Sequence, residues 1–244
     1  MDFPPMIVSA HQPYFAPFPG YFYKAHLSDV FVLLDAVQFP RGTTWISRNR
    51  FKNDQGTLWM TIPVQKKGLG LQRIDQVRIC HDGRWERKHM ESLRVAYRHA
   101  PYLEDHDELL EGLFDADRLI DLNLRIFRYI MDRLSIRTQV VRLSELGVTA
   151  RGPALLPAAA RELGASRFLA HAPAGKFLNP ALFEAAGIEL SFFQYPSPVY
   201  PQLWGEFIPN LSVLDLIFNC GADKARKILF GKRLSKNNFM PVGP

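Results

Sequence analysis

Met6-Ile-Val-Ser-Ala-His-Gln-Pro-Tyr-Phe-Ala-Pro-Phe-Pro-Gly-Tyr-Phe-Tyr-Lys-Ala-His-Leu-Ser-Asp-Val-Phe-Val-Leu-Leu34 is the stretch on which the fold turns. Met6 to Ala10 is apolar apart from one small serine and reads as a short buried strand. His11-Gln-Pro ends it. Pro13, Pro17 and Pro19 then follow so closely that no regular structure can run through them, because each removes a backbone donor. Gly20 leads into Tyr21 to Leu27, whose spacing suits a helix, and Ser28-Asp29 hands over to Val30-Phe-Val-Leu-Leu34, a second all-apolar strand. Two such strands joined by a helix form a βαβ unit, and these units build parallel sheets.

Working outward, Trp59-Met-Thr-Ile-Pro-Val64 and Ile74-Asp-Gln-Val-Arg-Ile79 have strand composition around the turn signal Gly68-Leu-Gly70. They predict a β-hairpin inserted over residues 55–82. Apolar residues recur at helical spacing from Trp85 to Tyr97 and from Leu119 to Leu134. Arg137 to Arg142 is a further short strand, Leu155 to Leu163 a helix ended by Gly164, and Arg167 to Ala170 and Glu189 to Phe193 two more strands. The alternation predicts one α/β domain over residues 1–230, with a parallel-sheet core, an antiparallel hairpin insertion and added helices. Residues 231–244 read as a basic C-terminal tail.

Composition narrows the classes. With 47% hydrophobic residues and a net charge of only +6 in 244 residues, the chain is neither disordered nor of low complexity. No apolar run approaches the roughly 20 residues that span a bilayer. The start of the chain has no basic region and is broken by Pro4-Pro5, so a secretory signal is not expected and a cytoplasmic protein is. Basic residues are scattered among acids and aromatics, which favours solvated faces or a cleft for a phosphate-bearing small molecule over nucleic acid. Cys80 and Cys220 lack metal-ligand spacing, as do the histidines, so neither a metal nor another cofactor is called for.

Three clusters carry candidate chemistry. The first is the loop from His11 to Tyr21, at the carboxyl end of the first strand and the start of the first helix, where anions bind in open parallel sheets. His11 is a candidate general base there, with Gln12, Tyr14 and Tyr21 as binding residues. The second follows the second strand: Asp35 and Gln38 would face His11 across a crevice, with Asp35 orienting the imidazole. Trp45, Arg48, Asn49 and Arg50 supply stacking and forked cation donors. The third runs from Tyr200 to Asn219, where Gln202, Asn210 and Ser212 precede a helix that carries Asp215, a candidate second carboxylate. Each polar residue has a plainer alternative as a cap or loop brace.

Read together, His11-Gln-Pro with Pro17 and Gly20-Tyr21, Ser28-Asp29-Val30, Leu34-Asp35 with Val37-Gln38, Trp45 with Arg48-Asn49-Arg50, Trp85 to His89 with Tyr97, and Tyr200-Pro-Gln202 with Pro209-Asn-Leu-Ser212, Asp215 and Phe218-Asn219 resemble the WbqC-like family of bacterial proteins. The resemblance spans nearly the whole chain. It implies a role in gene clusters for O-antigen, other surface polysaccharides or specialised metabolites. Ala36 stands where the family often has an acid, and Ala172-Pro-Ala-Gly-Lys176 where it has a Gly-Pro-Ser-Gly-Lys-like loop, which points to a difference in substrate. The strand, His-containing loop, Gly-led helix and strand are also similar to the opening of nucleotidylyltransferase-like, Rossmann-like α/β proteins, with Tyr21 in place of their second motif histidine.

The leading expectation is therefore a biosynthetic transferase. It would move an acyl or aminoacyl group onto an amino sugar or metabolite precursor, with His11, Asp35 and Asp215 as catalytic candidates. Its partner would be a small molecule, phosphate-bearing or bound to a carrier protein, with no membrane insertion and a homo-oligomer left open. Nucleotidyl transfer or hydrolysis in the same crevice, with Arg48, Arg50 and Lys176 on the phosphoryl group, is the first alternative. A non-catalytic sugar-nucleotide or protein-binding module is the second.

Overall fold

The computed structural model describes residues 5–231 and 240–241. In chain order the elements are β1 (Ile7–His11), α1 (Pro19–His26), β2 (Val30–Leu33), β3 (Arg48–Asn53), β4 (Gly56–Thr61), α2 (Trp85–Tyr97), α3 (Asp107–Leu110), α4 (Leu119–Arg133), β5 (Gln139–Arg142), α5 (Leu155–Glu162), β6 (Arg167–His171), α6 (Pro180–Glu184), β7 (Glu189–Phe193), α7 (Val213–Phe230) and β8 (Met240–Pro241). The main sheet runs β5-β2-β1-β6-β7-β8. Its first five strands are mutually parallel, and β8 lies antiparallel against β7. Numbered among themselves, the parallel strands follow the Rossmann-like order 3-2-1-4-5. The chain winds outward from β1 to β5, then crosses back to β6 on the other side of β1. The α/β fold expected from the opening βαβ unit is the fold observed.

Both faces of the sheet are covered, which is why its strands read as continuous apolar runs. Val8, Ala10, Val30, Val32, Phe168 and Ala170 pack under Ala159 and Ala160 of α5 and Phe183 of α6. Phe31 and Leu33 face the opposite way, into a larger core with Tyr21 and Phe22 of α1, Phe127 of α4 and Leu214 of α7. Phe127 stacks on both Phe22 and Phe31, at centroid distances of 5.6 and 5.7 Å.

The hairpin is real but sits earlier than the sequence placed it. β3 and β4 pair antiparallel, from Arg48 opposite Thr61 to Asn53 opposite Gly56. Of the expected strand at 59–64 only Trp59 to Thr61 belongs to it, and 74–79 contains a 3-10 turn, Ile74–Gln76, joined to the first segment by a single Val64–Ile79 bridge. Pro63 explains the stop: without an N–H it cannot continue a ladder. The basic tail expected at 231–244 lies mostly outside the described residues.

One backbone feature yields a direct test. Gly221 interrupts α7 with φ 72° and ψ 161°, and a Cβ there would lie 2.9 Å from the Tyr102 ring. That conformation is essentially reserved for glycine. Gly221→Ala should therefore destabilise by roughly 2–4 kcal/mol from strain and overlap together. Thermal unfolding should register a fall of several degrees; an unchanged melting temperature would contradict the assigned conformation.

Candidate functional site at the strand carboxyl ends

Between His11 and Pro19 the chain has no regular structure, and the prolines leave carbonyls without neighbouring N–H donors. Buried carbonyls need partners. Two asparagines, each with two N–H donors, supply them from distant elements. Asn49 donates to the carbonyls of Phe15 (2.8 Å) and Ala16 (2.6 Å), and Asn123 to those of Pro13 and Ile46, both at 2.8 Å. The Tyr21 hydroxyl donates to the Gln12 carbonyl at 3.0 Å, and the Val213 N–H to that of Pro17 at 2.8 Å. The loop is thus held rigidly at the carboxyl end of β1.

The β1–β6 register pairs Ile7 with Arg167 and Val8 with Phe168; continued to the strand ends, it sets His11 beside His171. Alternation along the strands puts both on the side of α1. Near enough to act electrostatically on both lies Lys24 of α1, only 7% exposed, whose Nζ donates to the Ala10 carbonyl at 2.5 Å. Among the described residues no carboxylate pairs with it. The His11 ring packs against Tyr14 and Tyr21, at centroid distances of 4.5 and 4.7 Å.

Electrostatics follow from burial and mutual repulsion. Burial pushes the Lys24 ammonium down to about 7. Burial, and then the Lys24 charge, push His11 down to about 3, with His171 adding to the shift and the Gln12 carbonyl opposing it. The same two causes, burial and then Lys24, lower His171. At neutral pH His11 is therefore uncharged. Its Nδ1 lies 3.0 Å from the Gln12 carbonyl, which can only accept, so Nδ1 carries the proton and Nε2 keeps a free lone pair.

The expected partnership of Asp35 with His11 is not made. Asp35 is fully buried, and its carboxylate accepts from Arg142 Nε (2.7 Å), Ser144 Oγ (2.7 Å) and Ser144 N (2.9 Å). The cause is topological: β5 pairs with β2 and ends where the Asp35 carboxylate emerges. Gln38 stays on that side of the sheet, lining a cavity of about 720 Å³ with Arg73, Thr149 and Arg151.

The hairpin residues divide. The Arg48 guanidinium lies 3.8 Å from the centre of the Trp59 ring, which is itself 5.7 Å from Trp45. Arg50 Nη2 donates to the carbonyls of Pro209 (3.3 Å) and Asn210 (3.1 Å), while Asn49 holds the His11 loop. Gln202 bonds Ile208 in both directions and accepts from the Lys52 ammonium at 3.1 Å; Ser212 caps α7. Gln202, Asn210 and Ser212 thus meet the hairpin, and this segment reaches the His11 loop through Val213. Asp215 is fully buried, accepting from the hydroxyls of Tyr97 and Tyr200, both at 2.8 Å. Lys176 is exposed in the turn that follows His171.

His11, Gln12, Tyr14 and Tyr21 therefore come together with Lys24 and His171, two residues the sequence reading passed over. A signal existed for each. Lys24 is a lone charge among Tyr21-Phe-Tyr and Ala25, and β1 and β6 both end in Ala-His.

A doubly wound α/β protein with a polar cluster at the switch point of its sheet is the class that fold and site define. The model of the WbqC-like protein family matches residues 12–227, and the chain belongs to that family. It is also similar to Rv1507c, an uncharacterized protein of Mycobacterium tuberculosis, with 29% identity over 221 residues, 88% of this chain and 94% of the relative. No solved structure matches the chain. Among the described residues no helix is long and apolar enough to cross a membrane.

Proposed function

We propose that this protein is a biosynthetic group transferase that moves an acyl or aminoacyl group onto the amine of a sugar or metabolite precursor, with a phosphate-bearing ligand at the carboxyl ends of β1 and β6. The observation that carries this reading is the free Nε2 lone pair of a neutral His11 beside Lys24, at the switch point of the sheet. Acyl transfer to an amine forms an N–C bond, breaks the bond from the acyl carbon to its carrier, and releases one proton from nitrogen. Nε2 can accept that proton and pass it to the departing carrier. An unpaired Lys24 charge weakens His11 as a base. A bound phosphate offsets that charge, so the base strengthens when the ligand is in place.

Nucleotidyl transfer is the second reading, favoured by the Rossmann-like strand order. It is the weaker of the two, because Arg48 and Arg50 are engaged on the hairpin and Tyr21 spends its hydroxyl on the Gln12 carbonyl.

The test begins with a panel of nucleotides, nucleotide sugars and acyl carriers, scored by the rise in melting temperature, and continues with product analysis by mass spectrometry. His11→Asn, with its Nδ2 amide in the Nδ1 place, should bind the same ligand but turn over about 10²–10⁴-fold more slowly. Release of pyrophosphate instead of an acylated amine would select nucleotidyl transfer, and an unaltered rate would remove His11 from the chemistry.

A further inference from the structure

Lys24 is a buried lysine with no carboxylate partner among the described residues. An ammonium that is buried normally has a carboxylate beside it, since an isolated charge out of water costs several kcal/mol. Here the Nζ has one backbone carbonyl, that of Ala10, and offers further N–H donors with no protein acceptor assigned to them. The neighbouring titratable groups are His11 from β1 and His171 from β6; neutral His171 keeps one ring N–H that can also donate, whereas His11 spends its N–H on the Gln12 carbonyl. The nearby acids are committed elsewhere. Asp29 accepts the Ile7 N–H at the opposite end of β1, and Asp35 is held by Arg142 and Ser144.

Packing does not require a cation at this position. The surrounding side chains of α1, Tyr21, Phe22, Tyr23 and Ala25, are all buried apolar or aromatic groups, and a methionine would fill the same space. The ammonium is therefore a cost that the free protein carries. An oxyanion brought up to the ammonium would offset that cost.

We infer that Lys24, flanked by His11 and His171, is the seat of a phosphate or diphosphate group of the ligand. This deepens the proposed transferase reading and rests on its placement of the ligand at this end of the sheet. It does not depend on which group is transferred. Lys24 would be a binding residue, setting where the phosphates lie and thereby how the rest of the ligand meets His11 Nε2.

The probe is inorganic diphosphate, titrated by calorimetry into the full-length protein at pH 7.5. Wild type should bind it saturably, and Lys24→Met should lose at least tenfold in affinity while remaining folded by circular dichroism. Equal affinity in the two proteins, or no saturable binding to wild type, would overturn the assignment. A second measurement uses wild type alone: the Lys24 Cε resonance, followed by NMR against pH, should report a pKa that moves upward in saturating diphosphate. An unmoved titration would equally reject the seat. Diphosphate binding without acyl transfer from any donor would sink the transferase reading and leave the seat standing. Acyl transfer with undiminished diphosphate affinity in Lys24→Met would do the reverse.

Discussion

Lys24→Met should be more stable than wild type at neutral pH and should lose a pH dependence that wild type shows. Lys24 falls from an ordinary 10.5 to about 7 in the folded protein because burial disfavours the ammonium. Between those values the unfolded chain holds a proton that the folded chain has released, so wild-type stability rises with pH, by up to about 1.4 kcal/mol per pH unit. Below pH 7 both states are protonated and the full cost stands, on the order of 5 kcal/mol. The groups facing Lys24, His11 and His171, have lowered values and are neutral throughout that window. Lys52, also lowered by burial, adds to the rise, while Cys220 and buried tyrosines such as Tyr21 and Tyr97, pushed upward, oppose it; both proteins share these groups, so the difference between their profiles isolates Lys24. Urea unfolding at half-unit steps would measure it. A wild-type profile parallel to that of Lys24→Met would mean that the ammonium is solvated.

Much of the architecture was legible because local patterns and tertiary burial agree. β1 and β2 are buried on both faces and contain few polar residues, and α2 spans Trp85–Tyr97 as its apolar spacing predicts. β3 was not legible. Arg48-Asn-Arg-Phe-Lys52 looks like a charged loop, and only the fold shows how those charges are accommodated: Asn49 turns to the His11 loop, and the Lys52 ammonium donates to the Glu206 carbonyl at 2.6 Å. The site was half legible for a related reason. The His11 loop announces itself through its prolines. Its neighbours, however, depend on the crossover that brings β6 next to β1 and β5 next to β2, a long-range choice with no local signal. That choice gave Asp35 to Arg142 and gave His171 to the site.

Asp215→Ala should be the most destabilising of the side-chain truncations considered for this protein. Asp215 has no exposed surface and raises its own pKa by burial, against hydrogen bonds from Tyr200 and Tyr97 and the nearby Lys52 charge. The Tyr97 hydroxyl also accepts the Lys52 backbone N–H at 3.1 Å, so one carboxylate links α2, the hairpin, the Tyr200 segment and α7. Alanine would leave two buried tyrosine hydroxyls without acceptors, at roughly 1–3 kcal/mol each, and would take from Lys52 the negative charge that favours its ammonium. The sum, about 3–5 kcal/mol, matches the loss expected when one partner of a buried charged network is removed. For a domain of this size it should lower the melting temperature by on the order of 10 °C. Asp215→Asn separates bracing from chemistry. Its amide oxygen can still accept from one tyrosine while its amide nitrogen must donate to the other, so a brace predicts a smaller loss of stability and retained turnover in the folded fraction. Abolished turnover at an unchanged melting temperature would instead return Asp215 to the reaction as a carboxylate acting from behind Tyr97 and Tyr200.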